Sequence, residues 1–200
     1  MVISMKASNK ISTIVFRALS AARTECVQEN GIDFEYTEIG VPSTGKGIHL
    51  MFEQAKLGKC RFKVYSGAND ADKLYFSPQI NLLYRAVHDV DHAIAYYFGR
   101  GTTKLSDELY LNCLMAKRVY DWTIKCCAYT HEDALEAFFA MYHDTVGQVH
   151  YYREHNDFCA DQRVNTAKLI SECLGAQSVR KGDINTATQV MRSYMVECGL

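Results

Sequence analysis

His88 and His92 stand four residues apart in the run Asn81-Leu-Leu-Tyr-Arg-Ala-Val-His-Asp-Val-Asp-His92. On an α-helix that spacing is slightly more than one turn, so the two imidazoles share a face. Asn81 and Arg85 continue the same row, Tyr84 and Asp91 flank it, and Asp89 follows the first histidine. Imidazoles and carboxylates are the groups with which proteins hold zinc, iron or manganese, and they also serve as general acids and bases. A guanidinium beside them offers a two-pronged grip on an anion such as a phosphate. Leu83, Val87, Val90, Ile94 and Tyr97 fall on the other side, so one helix carries both chemistry and a packing face.

Two further segments supply partners. Between 131 and 155, Asp144, Gln148 and Tyr151 form a polar stripe beside Leu135, Phe138, Phe139, Tyr142, Val146 and Val149. In the helix before it, Glu108 and Asn112 share a side with Met115, Val119, Trp122 and Cys126. A carboxylate on an apolar stripe must be paired, protonated or bound to a cation. Helical bundles build metal centres from the inward faces of neighbouring helices. The pattern therefore predicts a divalent zinc, iron or manganese ion on His88, His92 and Asp144. Asp89, Asp91, Glu108 and Gln148 take the catalytic and positioning roles, and Asn81 and Arg85 hold the substrate. An arginine–aspartate–histidine hydrogen-bond network would use the same residues without a metal. Glu136, His143 and His150 share a separate stripe that reads as solvated surface or the face of a homo-oligomer.

The elements that must position these groups are mostly helices. Only Pro42 and Pro78 interrupt the 200 residues, and 48% are apolar, enough for one well-packed domain. The spacing predicts a helix from about Ser8 to Asn30, stopped by Gly31. Phe34–Ile39 and Arg61–Tyr65 read as strands around a short helix at 48–57. Ser77-Pro78 opens the histidine helix and Gly99-Arg-Gly101 closes it. Helices follow at about 106–128, at 131–155 behind the capping box Thr130/Asp133, and at about 160–174 and 184–198, with a polar loop over 177–183. The expectation is a mainly α, single-domain helical bundle over 1–200. A small two-stranded β element occupies about 32–66 and the helical core about 77–198.

Several other functions find little support. A net charge of −1 gives no electrostatic footprint for nucleic acid, and no apolar run reaches transmembrane length. The eight cysteines include no CxxC pair, and no signal peptide is visible, so free thiols in a cytoplasm are expected. Gly40-Val-Pro-Ser-Thr-Gly-Lys-Gly47 follows a strand as a phosphate-binding loop would, but Gly47 stands where the magnesium-holding hydroxyl belongs. His88-Asp89 and His143-Asp144 suggest an HD-type phosphohydrolase. That class needs an isolated upstream histidine, and only His49 precedes His88.

The Asn81–His92 run and the later Asp144-Thr-Val-Gly-Gln148 together resemble an uncharacterised group of tailed-bacteriophage and prophage proteins. The resemblance covers about Phe76 to Phe158. It implies action in an infected bacterial cytoplasm and a shared polar set of Asn81, Arg85, His88, Asp89, His92, Glu108, Asp144 and Gln148. Asp91 departs from the group, where a small residue usually precedes the second histidine. The resulting expectation is a metal-assisted hydrolase or lyase acting on a small phosphate-bearing or nucleotide-like molecule. The alternative is a non-catalytic phage protein that binds and inhibits or redirects a host protein.

Overall fold

The chain enters its first helix, α1 (Asn9–Asn30), through Ser8, whose hydroxyl accepts the Ile11 N–H. It leaves through Gly31 at φ 64°, a left-handed conformation that suits a residue without a Cβ. The computed structural model describes residues 5–102 and 104–200. Two strands follow α1, β1 (Phe34–Thr37) and β2 (Phe62–Tyr65), paired in parallel with Phe34 opposite Phe62. Parallel neighbours need a crossover, and α2 (Gly45–Lys56) supplies it. The β element expected near the N-terminus is thus a βαβ unit.

α3 (Pro78–Tyr96) starts at Ser77, whose hydroxyl accepts the Ile80 N–H, and at a proline whose missing N–H costs nothing there. It serves two apolar clusters. Its Ala86, Val90 and Ala93 pack with Ile32, Ile48, Phe52, Phe62 and Val64 of the βαβ region. Its Ile80 and Val87 join the larger core, which includes Ile14 and Leu19 of α1. That core also takes Met115 and Val119 from α4 (Leu105–Lys125) and Phe138 and Phe139 from α5 (His131–His155). Ile94 and Tyr97, expected on the packing face of α3, lie exposed at its end.

α4 and α5 lie side by side as the central pair. The capping box forms as the sequence predicts, with Thr130 and Asp133 satisfying each other's backbone N–H groups. Lys10 of α1 adds an ion pair to Asp133 at 2.6 Å. Three helices complete the fold against α5: α6 (Gln162–Glu172), α7 (Leu174–Arg180) and α8 (Ile184–Glu197). Residues 177–180, expected in a polar loop, belong to α7. The helix runs there because Gly175 lets its backbone lie on the Phe139 ring, where a Cβ would stand 2.1 Å from Cζ. The architecture is mainly α, with eight helices and one two-stranded sheet among the described residues. Among those residues no helix is long and apolar enough to cross a membrane. All eight cysteines are free thiols.

Candidate metal centre

α3 and α4 cross so that Glu108, one turn into α4, faces the two histidines of α3. His88 Nε2 lies 3.3 Å from Glu108 Oε2, His92 Nε2 lies 3.1 Å from Glu108 Oε1, and the two Nε2 atoms are 3.2 Å apart. The edge of a tetrahedron around zinc, with bonds of about 2.0–2.1 Å, is about 3.3 Å long. The three side chains could therefore hold a metal ion with little rearrangement, and all their ligand atoms fall within 4.8 Å of one another. Both histidines are buried, while the Glu108 side chain keeps 26% of its surface accessible.

Electrostatics follow from this packing. Burial pushes the Glu108 carboxyl up, but hydrogen bonds from His88 and His92 outweigh it and hold the group at about 2. Burial opposes a charge on His92, and the Glu108 carboxylate more than reverses this, so its proton affinity rises. The Gly101 backbone beside the ring acts in the same direction, although no hydrogen bond of good geometry forms at His92 Nδ1. The Nδ1 atoms of both histidines are buried without a partner among the described residues. Metal-ligating imidazoles ordinarily donate through this second nitrogen, so the cluster has its ligand shell but not the outer hydrogen bonds.

A cavity of about 650 Å³ opens from the centre, with His88 and Glu108 in its wall and His92 behind them. Asp89, Asp144 and Gln148 line the same space. Asp89 is half-buried in the cavity wall, and the protein packed around it lifts its carboxyl to about 6 against the pull of His88, His92 and Arg85. Burial lifts Asp144 to about 7, opposed by a hydrogen bond from Thr166 Oγ1 to Oδ1 at 3.1 Å. Two carboxyls that gain and lose protons near neutrality thus share a chamber with one held firmly ionised.

The arrangement changes several expected roles. Glu108, expected as a catalytic carboxylate, completes the cluster with the histidines. Asp144, expected as the third ligand, lines the cavity outside that set. A helical wheel gives the face of each residue but not its height along the neighbouring helix, which decides between them. Asp91 turns away altogether, because Arg118 of α4 holds its carboxylate with two nitrogens at 2.7 and 2.9 Å. The Arg85 guanidinium donates to the carbonyls of Tyr65, Gly67 and Ala68 at 2.9, 2.6 and 3.3 Å, tying α3 to the end of β2. Asn81 Nδ2 donates to Asn69 Oδ1 at 2.9 Å, tethering the loop before α3. Both still line the cavity, Arg85 with its two terminal nitrogens bonded to carbonyls and Asn81 with one bond from its amide nitrogen.

Other partners carry no sequence signal of their own. Tyr84 donates its hydroxyl to Asn112 Oδ1, and Asn112 Nδ2 donates back to the Glu108 carbonyl at 2.9 Å, bracing the ligand helix. Arg118 and Thr166 are ordinary helix residues by spacing. A buried acidic residue at 91 or 144 was the available hint that a donor must face it. The stripe of Glu136, His143 and His150 is not uniform: Glu136 and His150 are exposed, while His143 is buried and held neutral down to about 4 by that burial. His49 stacks on Tyr96 and stays outside the cluster. The Gly40–Gly47 segment is the turn that leads into α2, with Thr44 Oγ1 capping the helix by accepting the Gly47 N–H. No protein-family model, curated protein or solved structure matches this chain.

Proposed function

We propose that this chain is a metal-dependent hydrolase or lyase whose centre is His88, His92 and Glu108. The observation that carries the reading is the convergence of two imidazole nitrogens and a carboxylate at 3.1–3.3 Å beside a chamber able to take a small molecule. Two histidines and a glutamate form a common zinc set that leaves one position open for chemistry, which favours zinc over iron or manganese. A divalent cation there supplies Lewis-acid activation of water or of a substrate oxygen. The chain's own residues do the rest. Glu108 stays ionised and anchors both imidazoles, while Asp89 and Asp144 exchange protons near neutrality as base and acid. The substrate is a small phosphate-bearing or nucleotide-like molecule, and Arg85 in the wall, partly tied to carbonyls, keeps its charge toward the chamber. The phage setting, with action in a host cytoplasm, rests on the two sequence motifs.

Metal analysis of untagged protein tests the centre. About one equivalent of a single divalent metal per chain is expected, falling below about a tenth in His92→Ala and Glu108→Gln. Less than a tenth in the unaltered protein, with no uptake from added zinc, would remove the metal and leave the non-catalytic, host-protein-binding reading.

A further inference from the structure

Gln148 lines the cavity one turn beyond Asp144 on α5, and its Nε2 and Oε1 are both buried with no hydrogen-bond partner among the described residues. A buried amide with donor and acceptor both unmade is unfavourable, and native chains rarely keep one unless a further molecule completes it. Several polar groups of the same wall are committed elsewhere. Arg85 serves three carbonyls, Asn81 serves Asn69, and Asn112 bridges Tyr84 and the Glu108 backbone. Thr166 binds one oxygen of Asp144.

The wall carries the carboxyls of Asp70, Asp89, Glu108 and Asp144 together with the basic Lys73, Arg85 and His88, so charge alone does not select what enters. Tyr65, Leu74, Val149 and Phe158 give the same wall flat and apolar surface. An amide side chain pairs best with an edge that carries an adjacent donor and acceptor, as a glutamine does on adenine.

We infer that the cavity binds a planar heterocycle with an adjacent donor–acceptor edge, a nucleobase or cyclic amide, read by the Gln148 amide. The inference names the substrate class for the hydrolase or lyase reading and rests on it for location.

Adenine, uracil and 2-pyridone are titrated into metal-loaded protein by calorimetry, and zinc per chain is measured in parallel. At least one heterocycle binds below about 1 mM. Gln148→Leu, which keeps the volume and removes the amide, weakens binding at least about tenfold, leaves the zinc content unchanged and raises the melting temperature of the free protein. Gln148→Glu, which replaces the donor by an acceptor, weakens it as well. No binding by any probe to protein carrying its metal overturns the inference and leaves the metal centre standing, as does equal affinity in Gln148→Leu. Heterocycle binding to protein that takes up no metal would uphold the inference and remove the metal centre.

Discussion

Arg118 grips Asp91 with both guanidinium nitrogens, and only 8% of the Asp91 side chain is accessible. Removing the arginine leaves a carboxylate enclosed without its counterion, so Arg118→Ala should cost about 3 kcal/mol in urea unfolding. Combining it with Asp91→Leu should restore most of the loss, because the stranded charge is then gone. A single-variant loss below about 1 kcal/mol would mean that solvent at the partly exposed arginine screens the pair. The same pair shows where residue-level reading of the sequence stops. The His88/His92 spacing was legible because one helix fixes it, and the isolated Glu108 was legible as a charge in need of a partner. Which carboxylate meets which cation depends on how two helices slide past each other. No periodicity reports that, so Asp91 and Glu108 look interchangeable in the sequence.

The helices themselves were easier to read where local chemistry ends them. α5 begins and stops at the expected residues because Thr130 and Asp133 close its start and Asn156, at φ 52°, closes its end. α7 gave no comparable signal. Its seven residues hold a glycine and several polar side chains, and no side chain caps its N-terminus. What keeps it in place is contact with the Phe139 ring through Gly175. Gly175→Ala should therefore lower stability by about 1–3 kcal/mol despite alanine's better helix propensity. Thermal or urea unfolding measures this, and a neutral or stabilising outcome would show that Phe139 can swing aside. The two strands were visible as alternating runs, but their parallel pairing depends on α2 returning the chain to the same edge, which alternation does not encode.

For the whole molecule, two buried groups tilt stability with pH in opposite directions. Between 3.8 and about 7 the folded chain keeps a proton on Asp144 that the unfolded chain has released, so this group's contribution falls as pH rises through that window. His143 stays neutral down to about 4 when folded but takes a proton below 6.5 when unfolded, so its contribution falls as pH drops from 6.5 to about 4. Asp144→Asn should gain on the unaltered chain by roughly 2 kcal/mol or more as pH rises to 7, with the two converging below 3.8. Unfolding both in the presence of a chelator across that range checks the sign, and a gap that widens toward acid would contradict it.

Backbone also meets backbone beside the His88–His92–Glu108 cluster. A Cβ on Gly101 would come within 1.9 Å of the His92 carbonyl, and one on Gly45 within 1.9 Å of the Gly101 carbonyl. The start of α2, the loop after α3 and the turn bearing His92 are thus stacked with no side chain between them. Mutational scans that truncate side chains and pass over glycines would find this seam silent. A recombination that exchanged the βαβ unit for a foreign one would fail there first, since two positions at the seam accept only the smallest residue.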